Sequence, residues 1–132
     1  MSLPAGVSAD SSRAIYESIA RPNAVARIPS AAASVNATSI KATAGRVSWL
    51  SGYNAAASVR YLKFYNKATA PTVGTDTPFA TLAVPATSAF NINLGNLYFA
   101  TGISFGMTTG AADADTGALT AADIVGLSIA YS

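Results

Sequence analysis

From residue 39 onward, apolar side chains recur at every second position, the period of a strand with one buried face. Ile40, Ala42 and Ala44 alternate with polar neighbours, Gly45–Arg46 interrupts, and VSWLSGYN resumes with Val47 and Trp49 in phase, which predicts a hairpin over residues 39–54. The run from Ala57 to Tyr65 sets Leu62 and Phe64 on one face and Val59, Tyr61 and Tyr65 on the other. Large residues on both faces predict a central strand with one side in the core and the other against a loop or neighbour. NKATAPTVGTDTP then breaks the pattern with two prolines and a glycine, and its length predicts a connection crossing between sheets.

Three further segments complete the pattern. FATLAVP sets Leu82 and Val84 against Phe79, Thr81 and Ala83, and SAFNINL gives Phe90, Ile92 and Leu94 a common face with Asn91 and Asn93 opposite. Gly95–Asn96 reads as a turn before LYFATGISFGMTT, where Ile103, Phe105 and Met107 are in phase. The last run aligns Val125, Leu127, Ile129 and Tyr131. Seven or eight short strands with regular turn signals predict an all-β, antiparallel β-sandwich, jelly-roll or Ig-like.

Residues 1–36 follow a different pattern: Ala- and Ser-rich, with Pro4, Pro22 and Pro29 and one short helical spacing in SSRAIYESIA. They are expected to form an N-terminal arm, with residues 37–132 as the β-sandwich domain. Ile15, Tyr16, Ile19, Val25 and Ile28 would give that arm something to bury against a partner. A frayed tail is the other reading.

Composition sharpens the picture. Apolar residues make up 51% of the 132-residue chain and charged residues only 11%, against roughly 25% in an ordinary soluble domain. So little charge suits a surface that faces other protein, although Ser, Thr and Asn also confer solubility. All eight bases lie in the first 67 residues, which carry net +6, and the remainder carries net −4. The bases are scattered, which argues against a nucleic-acid partner. No apolar run approaches the ~18 residues of a membrane span, and the N-terminus lacks the basic and apolar regions of a secretory signal.

The chain contains neither Cys nor His, which removes thiolate chemistry and the usual general base near neutral pH. No cofactor and no enzymatic activity are expected. Asp113-Ala-Asp115-Thr-Gly117, with Asp123 downstream, is the best metal motif, a weak calcium candidate lacking the spacing of an EF-hand. A solvated turn is the competing reading. Asp76 paired with Asp113 or Asp115 is arithmetically possible as a glycosidase pair, but no patterning supports it. Trp49, Tyr53, Tyr61 and Tyr65, with Asn54 and Asn66, form a possible glycan platform provided that Trp49 and Tyr61 share an exposed face.

The "GRV" segment, RYLKFYNKATAPTVGTDTP and TGAADADTGALTAADIVG resemble elements of small all-β virion structural proteins of tailed bacteriophages and prophages, a group with head-decoration and tail members. The resemblance covers about residues 38–131 and brings no catalytic residue with it. It implies a capsid decoration (cement) protein, made in the host cytoplasm and placed on the capsid surface. The major capsid protein or other virion subunits would be its partners, and self-association as a trimer fits a symmetric lattice. A tail or fibre component recognising host carbohydrate is the alternative, and a tail-tube or baseplate subunit a further one.

Overall fold

The computed structural model describes residues 21–132. Its elements are β1 (Ala24–Ser30), β2 (Thr38–Lys41), β3 (Gly45–Asn54), β4 (Arg60–Asn66), β5 (Ala80–Val84), β6 (Ser88–Phe99), β7 (Ile103–Thr108) and β8 (Ile124–Tyr131). The described residues contain no helix, and so none long and apolar enough to cross a membrane. Two four-stranded antiparallel sheets run in the orders β1-β8-β3-β6 and β2-β7-β4-β5. The chain therefore pairs as a nested set, β1 with β8, β2 with β7, β3 with β6 and β4 with β5. Rolled into two layers, that nesting is the jelly-roll order.

The core lies between the layers and takes the apolar side of each alternation: Val47 and Leu50 from β3, Leu62 and Phe64 from β4, Phe105 and Met107 from β7, Leu127 and Ile129 from β8. Rings lock the sheets together. Phe99 of β6 lies 6.0 Å, centroid to centroid, from Phe64 of the facing sheet and 5.2 Å from Phe79, while Phe64 lies 6.3 Å from Phe105. The buried Asn54 adds a polar tie, its Nδ2 donating to the Val84 carbonyl across the sandwich and to the Ser58 carbonyl, each at 3.1 Å, while its Oδ1 accepts from the Ala56 amide.

Several local expectations change once strands find partners. The hairpin over residues 39–54 does not form, because β2 pairs with β7 and β3 with β6 and β8 in the other sheet. Residues 66–78 do not cross between sheets, because β4 pairs with β5 beside it and the Phe79 amide donates to the Phe64 carbonyl. Gly95–Asn96 does not end a strand: β6 runs through it, with both residues at positive φ (61° and 60°), as a bulge opposite Ser48. A second bulge at Gly126 (φ 62°) puts Ile124, rather than Val125, in the core.

The N-terminal boundary also moves. Residues 24–30, expected to belong to the arm, are β1, which pairs with β8 from Ala24↔Tyr131 to Ser30↔Val125. Ile28 packs against the core and is not available to a partner, whereas Val25 faces outward and is 52% exposed. Ile15, Tyr16 and Ile19 lie outside the described residues.

Phe99→Ala would empty the ring cluster that spans the sheets. It is expected to destabilise the domain by about 3–5 kcal/mol, measured as a lower chemical-denaturation midpoint with unchanged slope.

Candidate functional site

The two outer sheet faces differ in kind. On β4, the alternation that sends Leu62 and Phe64 inward sends Tyr61, Lys63 and Tyr65 outward. Lys63 and Tyr65 are nonetheless buried, because the connections 67–79 and 109–123 fold over this face. The Lys63 Nζ donates to the Ala112 carbonyl at 2.6 Å, pinning the second connection to the sheet. Gly106 of β7 leaves room for Val73 of the first; a Cβ there would sit 2.7 Å from the Val73 side chain.

The acids of these connections hold the loops themselves. Asp76 Oδ2 accepts from Lys67 Nζ at 2.6 Å and from the Thr72 amide at 2.7 Å, which together lower its pKa below the ordinary aspartate value. Asp115 Oδ1 accepts from the Gly117 and Gly110 amides. Asp123 Oδ2 accepts from Arg60 Nε and from the Thr120 amide, both at 2.9 Å. The three acids of the calcium candidate are placed apart: Asp123 pairs with Arg60, Asp115 closes its own loop and Asp113 stands exposed. Among the described residues no group of three acids converges to hold a metal ion. Asp76, the other acid of the arithmetical carboxylate pair, is tied to Lys67.

The glycan platform separates as well. Trp49 and Tyr61 do not share a face, since β3 and β4 lie in different sheets, and Tyr65 is sealed under the loops at 1% exposed. Asn54 is buried and satisfied, and Asn66 accepts from the Thr101 and Gly102 amides. Trp49 and Tyr53 remain together, each 38% exposed, on the outer face of the β1-β8-β3-β6 sheet.

Pairing brings other polar side chains to them. Trp49 stands opposite Asn93 and Ser51 opposite Asn91 on β6, with Ala130 and Ser128 of β8 on the other side. Where β6 bulges, the surface sinks into a hollow of about 770 Å³ lined by Arg21, Pro22, Ser48, Trp49, Ser51, Asn91, Asn93, Gly95 and Asn96. Asn93 Oδ1 accepts from the Gly95 amide at 2.8 Å, and Ser48 Oγ donates to Asn96 Oδ1, so the bulge orients both amides. Beyond it, the Arg46 guanidinium sits 4.8 Å over the Tyr98 ring. The outward phase of Asn91 and Asn93 was visible in SAFNINL; their alignment with Trp49 and Ser51 was not.

Comparison with protein-family models, curated proteins and solved structures gives no match.

Two predictions follow from the loop-covered face. The Tyr65 hydroxyl is buried without a hydrogen-bond partner, and burial, then the charges of Asp76 and Asp113, raise its pKa. Because an unpaired buried hydroxyl costs about 1–3 kcal/mol, Tyr65→Phe is expected to leave stability unchanged or raise it by up to about 1 kcal/mol. Because its pKa is raised, the Tyr65 hydroxyl costs no ionisation energy below the ordinary tyrosine value near ~10, and stability falls as pH rises from there through the folded value, a loss that Tyr65→Phe should remove. Ultraviolet titration of the variant should lack one tyrosine that ionises above the ordinary value. Asp76 has the opposite sign: its contribution is complete above the ordinary value near ~3.9 and disappears as pH falls through the lowered one. The melting temperature of Asp76→Asn should therefore fall less on acidification below about pH 4 than that of the unsubstituted protein.

Proposed function

We propose that the chain is a non-enzymatic virion structural protein, a capsid decoration protein carried in many copies on the major capsid shell of a tailed bacteriophage. The observation that carries this reading is the disposal of charge. Arg60 and Asp123 pair, Lys67 and Asp76 pair, Arg46 lies over Tyr98 and Lys63 is buried on a carbonyl. Among the described residues only Arg21, Arg27 and Asp113 are exposed charged side chains, a sparse set that suits a subunit surrounded by other subunits better than a free monomer. The resemblance of residues 38–131 to phage virion proteins supports the same reading.

Edges supply a place for copies to meet. β1 carries Arg27 and Pro29, β2 is four residues long and ends at Lys41, and β6 is bent by its bulge. The remaining edge, β5, reads ATLAV, with no charge or proline to discourage pairing with another strand. In this reading β5 faces a neighbouring subunit.

Cryo-electron microscopy of intact particles tests the proposal. Density for this domain in many copies on the head, with the β5 edge in a subunit contact, is the expected result. Density confined to the tail, or none on the particle, would overturn it. A truncation testing the N-terminal contribution to attachment should stop at residue 20, since removing residues 1–36 also removes β1.

A further inference from the structure

We propose that the hollow beside the Gly95–Asn96 bulge is a saccharide-binding site. It does not depend on where in a particle the chain sits, so the microscopy above can fail without touching it.

The hollow has the dimensions of a ligand site. At about 770 Å³ the hollow lies within the roughly 300–1,000 Å³ range of small-ligand sites. It is broad and shallow, formed where one residue of β3, Ser48, lies opposite the three residues 94–96 of β6. Its wall is the half-exposed indole of Trp49. An aromatic ring face offers an apolar plane against which the C–H face of a pyranose can stack.

Apart from Arg21, which also lines the hollow, the chemistry beside the indole is neutral and two-sided. Asn91 and Ser51 stand opposite each other, and among the described residues neither side chain has a hydrogen-bond partner. Asn93 spends its carbonyl oxygen on the Gly95 amide, which leaves its Nδ2 to donate outward. Sugar hydroxyls donate and accept at once, and an amide beside a hydroxyl satisfies both halves. Strand geometry sets the Ser51–Asn91 pair about 7 Å along the sheet from the Trp49–Asn93 pair, about the span of one pyranose ring. Among the described residues no carboxylate lines the hollow, whereas Arg21 does, so neither a divalent cation nor a basic peptide finds its counter-charge in them.

The register extends the site into a track. Arg27, Ser128, Ser51 and Asn91 are successive partners across β1, β8, β3 and β6, and so share one outer face. This polar row passes between Trp49 and Tyr53, which lie two outward positions apart on β3. Three strand spacings span about 14 Å, room for two or three sugar units lying across the strands. The ligand class is therefore a short hydroxyl-rich glycan chain, held by one aromatic stack and hydrogen bonds from neutral side chains, with Arg21 and Arg27 as further donors.

Trp49 is the chain's sole tryptophan, so its fluorescence reports on the hollow directly. The full-length protein is screened on a glycan array, and hits are titrated by Trp49 emission and by calorimetry. A saturable emission change with a defined saccharide is expected. By calorimetry, Trp49→Ala and Asn91→Ala should each weaken binding by about tenfold or more, and Tyr61→Ala, in the other sheet, should leave it unchanged. Both substituted side chains point away from the core, and unchanged melting would confirm that each variant folds. Absence of any saccharide hit, or binding that survives both substitutions, would overturn the proposal. So would emission that shifts only with protein concentration, which would assign the face to self-association.

Discussion

A buried ammonium ion must keep its partners, and the arrangement of this sandwich follows from where Lys63 finds them. Strand alternation sends Lys63 out of the core, onto a face that would ordinarily meet water. Here the side chain is buried, and its Nζ reaches the Ala112 carbonyl. Leaving such a charge without that carbonyl would cost several kcal/mol, so the 109–123 connection is held down as firmly as the strand beneath it. Gly106 admits Val73 from the other connection, and Asp115 and Asp76 close each loop on itself. One sheet is thereby covered on both sides by its own chain. The opposite sheet keeps a broad outer face open, with Trp49 and Tyr53 exposed on it.

What shapes that surface is a pair of bulges on either side of β3. Gly126 in β8 and Gly95–Asn96 in β6 each insert residues against β3, at the levels of Gly52 and Ser48. Both use positive φ, which glycine adopts without penalty and asparagine more readily than most residues. A flat four-stranded sheet would present a plane of small polar side chains. The bend in β6 produces a depression instead, and the side chains that fix it, Asn93 and Asn96, also line it. Backbone geometry and surface chemistry thus come from the same four residues, Asn93 to Asn96.

Much of this fold was legible in the chain because alternation is a local signal. The core faces of β4, β5, β6 and β7 are the ones the pattern assigns, with Leu62, Val84, Phe90 and Met107 among them. Pairing is not local. Nothing in residues 39–54 reveals that β2 belongs with β7, some sixty residues away, so an apparent hairpin is split between sheets. For the same reason Trp49 and Tyr61, both outward on their own strands, end on opposite sides of the molecule, and Asn91 and Asn93 meet Trp49 and Ser51 instead. β1 was hidden by composition: its Ala, Arg and Pro make a weak strand signal, and it is the six-residue register with β8 that holds it.

The charge asymmetry of the sequence meets a similar fate. A basic first half and an acidic second half suggest a polar molecule able to stack head to tail. The nested topology folds the halves into each other, so Arg60 of the first meets Asp123 of the second across 63 residues of sequence. Lys63 likewise meets a carbonyl of the acidic half. The asymmetry is spent inside the fold, and the long-range field that might have oriented one copy against another is much reduced. Recognition by this domain must then rest on short-range contacts, which act only where shapes fit. The uncharged β5 edge and the aromatic, amide-lined face of the open sheet are the surfaces that meet that requirement.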